Sequence, residues 1–218
     1  IFNIAIFHTL FNIISTVILL PFCKPIEKLA IKTVGRKSQE TKIDVFDTLD
    51  DRFLSIPSFA VEKCRELVCE MAEISKDSLE KSLTLLDNFS PEVFNEIMEK
   101  ESLVDKYEDK TSTYLVKISS HDLSVKDSKS VTELLHCIGD IERISDHAVN
   151  IAEVAQEMHD KNVSFSAQAT KDLKVITNAV TEVLSRAVLA LKKEDVSLAK
   201  TVEPLEQVID RLKRKIKA

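Results

Sequence analysis

Three acid pairs, Glu101 with Asp105, Glu142 with Asp146 and Glu206 with Asp210, share the spacing Glu-x-x-x-Asp. On a helix that spacing sets both carboxylates on one face, a turn apart. Glu101 falls within the apolar stripe of Phe94, Ile97, Val104 and Leu115, and Asp105 falls at its edge. Glu142 falls within the stripe of Val131, Ile138, Ser145 and Val149, and Asp146 lies on its flank. Glu206 and Asp210 lie on a flank as well. A carboxylate drawn toward a core without a partner is costly. Two such pairs on neighbouring helices would repel severely unless protons or cations came between them. Oxygen clusters of this kind suit hard or borderline divalent and trivalent metals, Mg, Mn, Fe or Zn, and facing helices of other bundles hold metals in this way.

A single Glu-x-x-x-Asp is ordinary in an acid-rich amphipathic helix, and Lys106 and Arg143 stand near enough in sequence to neutralise part of this charge. Recurrence at equivalent positions favours the metal. Asp140, His147 and Asn150 are candidates for its outer shell, with His136 a weaker one; a lone helical histidine is more often a core or surface residue. Cys64 and Cys69 are five apart, turn to different faces and read as packing. Gly139 reads as a point of close helix approach. The chain has no Gly-rich phosphate loop, nucleophile elbow or His-Glu-x-x-His, and nothing in it points to an enzyme.

Long helices must position these acids. With 2 Gly, 5 Pro and no Trp, the composition favours an all-α chain with few tight turns. The apolar periodicity predicts helices over about Pro57 to Leu86, Pro91 to Ile118, Ser128 to His159, Ser166 to Lys192, and from Asp195 onward. Ser90 before Pro91 is an N-cap with proline at the first helical position. Helices four and five repeat helices one and two at an offset of 105 residues: Glu101 falls over Glu206, Val104 over Ile209 and Asp105 over Asp210. Leu79, Leu83 and Leu86 fall likewise over Leu184, Val188 and Leu191. Each unit reads as three helices, and the second lacks its third here.

The front of the chain differs. Residues 1–23, "IFNIAIFHTLFNIISTVILLPFC", hold no formal charge and match the length of a transmembrane helix. His8 and Asn12 within it are transport-path candidates, since polar groups in a membrane tend to face a substrate path. Residues 24–55 read as a basic juxtamembrane connector, which predicts a cytoplasmic exit. Residues 1–43 carry six cations and two acids, a surplus of +4, so the remainder carries −10 of the net −6. That acidic remainder argues against nucleic acid. Four cysteines without a disulfide pattern indicate a reducing compartment.

"DIERISDHAVNIAE", residues 140–153, resembles the signature helix of PhoU proteins, regulators of bacterial phosphate uptake built from two three-helix repeats. The resemblance covers about Pro57 to Ala218 and implies metal binding at Glu101, Asp105, Glu142 and Asp146, and at Glu206 and Asp210 of the second repeat. "FHTLFNIISTVILLPF" is similar to the last membrane segment of bacterial sodium/phosphate cotransporters, some of which carry a PhoU-like domain after it. Together the resemblances imply tandem PhoU-like three-helix bundles, the second truncated, over residues 56–218, behind one transmembrane helix. They imply the C-terminal part of a sodium:phosphate symporter in the bacterial inner membrane, multi-pass, with the bundle cytoplasmic and regulatory. The alternative is a membrane-tethered PhoU-type regulator with no transport activity of its own. The partners expected are sodium and inorganic phosphate through a missing upstream domain, membrane lipid, and a second copy as a homodimer.

Overall fold

The computed structural model describes His8, Phe11, Asn12 and residues 45–217. Among these residues the long elements are α1 (Pro57–Leu85), α2 (Pro91–Ser119), α3 (Val125–Asp160) and α4 (Ala167–Lys193), then the short α5 (Val196–Ala199) and α6 (Val202–Lys217). No strand is present among them. Side-chain caps set the starts. Ser90 accepts from the Val93 amide, Ser124 from Asp127 and Ser166 from Ala169.

Ser124 starts α3 earlier than the expected Ser128, because the Asp127 carboxylate accepts from both the Ser124 and Ser58 hydroxyls, at 2.7 and 2.8 Å. The expected fifth helix is two helices, α5 and α6. Pro204 explains the break: a helix running on from α5 would press its ring against the Lys200 carbonyl, whereas in the first turn of α6 it is tolerated.

α1, α2 and α3 form the main core. α2 runs antiparallel to α1, as the Tyr107 hydroxyl donating to Glu70 at 2.9 Å and the Lys100–Asp77 pair show. α3 returns parallel to α1, tied by Ser58–Asp127 and by Arg65 to the Ser130 hydroxyl. Met71, Ile97, Val104, Leu115 and Ile138 fill the centre, none more than 2% exposed. Ala148 and Ala152 of α3, and Ser75, Ser78 and Ser82 of α1, are small and buried, which lets the two helices approach closely. The hydroxyls of Ser75, Ser78, Thr111 and Ser145 find no hydrogen-bond partner in that interior. α4 joins the core through Leu184 and Val188, and α6 packs chiefly on α4.

The helical unit begins at Phe46, not at residue 56. Phe46, Leu49, Phe53 and Leu54 pack half-buried against the core, and the Tyr114 hydroxyl donates to the Asp50 carbonyl at 2.7 Å. The last ten residues of the expected connector therefore belong to the bundle.

Gly139 also departs from expectation. A Cβ built on it meets nothing within 4 Å, so no neighbouring helix presses there. Gly139→Ala should raise stability by about 0.5–1 kcal/mol, since glycine only loosens a helix interior at such a site. Chemical denaturation measures it, and a loss of stability would mean that a neighbour does crowd the position.

The expected membrane helix over residues 1–23 lies outside the described residues, apart from His8, Phe11 and Asn12. The expectation of a multi-pass inner-membrane protein is corrected: among the described residues no helix is long and apolar enough to cross a membrane. α1 to α4 carry charged faces and bury their apolar faces on one another, whereas a membrane span would turn apolar residues to lipid all round.

Candidate functional site

Glu101 and Asp105 on α2 meet Glu142 and Asp146 on α3. Glu101 and Glu142 are half-buried, while Asp105 and Asp146 are exposed. The Glu101 carboxyl is pushed above the ordinary glutamate value by burial first, then by the charges of Asp105 and Asp146. The Glu142 carboxyl is pushed up by burial, by the charges of Asp146 and Glu108, by a hydrogen bond with Asp146, and by Asp105. Four sequence-predicted acids from two helices thus lie within one another's electrostatic reach.

Glu108 is a fifth acid, which the sequence reading missed. It stands seven residues after Glu101, two turns along the same face, and that spacing was the signal available.

Cations do not cancel this charge. Among the described residues none of Glu101, Asp105, Glu142 and Asp146 forms an ion pair. Arg143, a candidate neutraliser, lies 4.0 Å from Asp140 instead. Other acids on the bundle are paired: Lys100 reaches Glu96 at 2.7 Å and also Asp77, and Lys81 reaches Asp77 at 3.0 Å. Lys100 and Lys81 hold Glu96 below its ordinary value, and they outweigh burial to do the same at Asp77. The sequence can therefore place lysines against acids, and between α2 and α3 it does not.

These opposite shifts give opposite pH dependences. Asp77 and Glu96 stabilise the fold above the ordinary carboxylate range, and that contribution is lost as pH falls. Glu101 and Glu142, with raised values, bind protons more readily folded than unfolded, so their cost grows as pH rises through the raised range. Glu142→Gln should therefore raise metal-free stability at neutral pH by about 0.5–1 kcal/mol, the scale of one or two like-charge contacts. The gain should vanish in acid, where the wild-type carboxyl is protonated. Thermal melts across pH read it; a gain that persists in acid would mean that charge is not the cause.

Three or more His, Cys, Asp or Glu side chains close enough together to enclose a metal ion are not found among the described residues. The donors are nevertheless of the right kind: carboxylate oxygens on two adjoining helices, uncancelled by cations, and outside the tight core where side chains could not turn. Small rotations of exposed Asp105 and Asp146 toward Glu101 and Glu142 are what binding would require.

Asp140, His147 and Asn150 are not drawn in. Asp140 is 79% exposed with Arg143 beside it, and His147 is exposed, about 140° around α3 from Glu142. Asn150 is exposed too. Glu206 and Asp210 are exposed on α6, which packs chiefly on α4 rather than on α2 or α3. His8 and Asn12 are exposed, and the Asn12 amide donates to His8 Nδ1 at 3.1 Å. Among the described residues the thiols add no reactivity: burial pushes Cys64 up to about 12 and also raises Cys69 and Cys137.

Residues 68–155, from the middle of α1 to near the end of α3, match the PhoU domain family, and all four clustered acids fall inside that span. That span of the bundle is PhoU-like. The chain is also similar to two accessory proteins. It is 26% identical over 161 residues to the phosphate-specific transport system accessory protein PhoU homolog 1 of Thermotoga maritima, covering 70% of this chain and 68% of that protein. It is 23% identical over 160 residues to the phosphate-specific transport system accessory protein PhoU homolog of Aquifex aeolicus, with the same shares. No solved structure matches the chain. These likenesses support the PhoU-like domain and lend nothing to the cotransporter resemblance.

Proposed function

We propose that this chain is a PhoU-type regulator of phosphate uptake, neither an enzyme nor itself a transporter, whose α2–α3 face takes up a divalent or trivalent metal. One observation carries the reading: the PhoU-matching span contains acids that converge from two helices with no ion pair to a lysine or arginine among the described residues. Mg, Mn, Fe or Zn would supply the missing positive charge. It would bridge α2 to α3 and fix the outward surface of the bundle for a partner in the uptake system. Sodium symport, the bolder expectation, has no supporting observation among the described residues, and the regulator reading accounts for both accessory-protein likenesses.

Phosphate accumulation, measured in bacterial cells with and without the intact gene, tests the role. Loss of the gene should change uptake when external phosphate is plentiful, and Glu101→Gln combined with Glu142→Gln should reproduce that change at normal protein levels. Uptake that is indifferent to the gene at every phosphate level would remove the reading.

A further inference from the structure

A groove of about 700 Å³ opens along α1, between Tyr107 of α2 and Lys192 at the end of α4. Glu62, Glu66, Glu70 and Glu73 line it from α1, all four exposed. Their intervals of four, four and three residues make one helical stripe, about 16 Å long. Glu194, just past α4, adds a fifth carboxylate. Cations balance only part of this charge. Arg65, 3.5 Å from Glu62 and 3.3 Å from Glu194, and Lys192, 3.2 Å from Glu73, line the groove, and Lys63 reaches Glu66 from outside it. Glu70 forms no ion pair among the described residues. The hydroxyl of buried Tyr107 donates to it at 2.9 Å, which fixes the carboxylate without cancelling its charge. Cys69, Ile74 and Tyr107 give the same groove apolar surface.

We propose that this groove docks an amphipathic helix of a partner protein, one that carries lysine or arginine at intervals of three and four residues beside an apolar stripe. An acid stripe alone is an ordinary solvated helix face. Here it rims a groove that also offers apolar surface, and a buried tyrosine holds one of its acids in place. The four α1 acids are spread along one helix, whereas a single bound ion needs oxygens that converge on it. Charges strung along a helix are best met by charges at the same pitch, and a second helix has that pitch. The partner's cations meet Glu62, Glu66 and Glu70, and its apolar side chains cover Cys69 and Ile74. The helix missing from the second repeat does not compete for this place. A counterpart of α3 would rest on α4 and α6, as α3 rests on α1 and α2, and α6 does not line the groove. The groove shares no residue with the four acids between α2 and α3, so it stands apart from the metal proposed there. A contact of this size and charge should be reversible and weakened by salt.

Fluorescence anisotropy on the full chain tests this with a labelled synthetic peptide, a helix former with lysine at every fourth position and leucine on the adjoining face. A second peptide has the same composition in scrambled order. The wild type should bind the patterned peptide, less at high salt, and the scrambled one at least about tenfold more weakly. Glu66→Lys with Glu70→Lys should weaken binding by about tenfold or more, since two attractions become repulsions. Glu203→Lys with Glu206→Lys makes the same change of net charge on α6, outside the groove, and should stay within about threefold of the wild type. Ile74→Ser leaves every charge in place and should still weaken binding by about threefold, through lost apolar cover. Thermal melts establish that each variant is folded, and Glu62→Gln with Glu66→Gln, which adds no charge, replaces the lysine pair if that pair unfolds the chain. A wild type that does not bind the patterned peptide would overturn the proposal. So would a scrambled peptide that binds equally well, or an α6 variant that loses as much as the groove variant, since either outcome reduces the attraction to overall acidity.

Discussion

Leu115→Ala is expected to cost about 2–5 kcal/mol, the range for emptying a fully buried aliphatic site. Leu115 is 0% exposed, in the same core as Val104, Tyr114, Ile118 and Ile138. It lies where α2 is held on both sides, by α1 and by α3, so the walls cannot collapse cheaply into the space. Leu212→Ala on α6 removes the same atoms from a half-exposed site and should cost less than about 1 kcal/mol, since little surface returns to water. For a chain of this size each kcal/mol is about 2–4 °C in Tm, so the two variants should separate by several degrees in a thermal melt. Equal losses would mean that α6 is buried as deeply as α2, against the weak cover given to it here.

The helices were legible because amphipathic helices write their burial into spacing. Phe94, Ile97, Val104 and Leu115 repeat at the helical period, and Ser90–Pro91 marks its own boundary. The α2–α3 acids were legible for a related reason: a carboxylate inside an apolar stripe is conspicuous. What escaped depends on three-dimensional neighbours. Gly139 has the same sequence signature whether a helix presses on it or open space does. Pro204 divides a periodic run without interrupting the apolar pattern, so one helix was expected where two exist. Glu108 carries no mark of its own, and its part follows only from the side of α2 on which α3 lies. Glu206 and Asp210 fall over Glu101 and Asp105 in the repeat, but the third helix of that unit, the counterpart of α3, was expected to be missing, and among the described residues α6 packs chiefly on α4.

Metal should reverse the energetic sign of that cluster. Without metal, Glu101 and Glu142 weaken the fold at neutral pH, because burial and neighbouring acids both oppose their charge. A cation bound only by the folded state stabilises it by mass action, about 2.7 kcal/mol at a hundredfold excess over Kd. At about 2–4 °C per kcal/mol, the wild-type Tm should rise by roughly 5–10 °C on saturation with the preferred metal among Mg, Mn, Fe and Zn. Glu142→Gln should start above the wild type without metal and respond little to it, so that the two melting curves exchange order as metal is added. Glu206→Gln should keep the full response, since that acid lies on α6, outside the α2–α3 cluster. The exchange of order is the decisive feature. A cation screening charge across the whole surface would raise every variant alike, and a carboxylate serving only the fold would lower Tm when replaced. A wild-type Tm indifferent to all four metals would leave the four acids without a ligand and remove the metal from the function proposed.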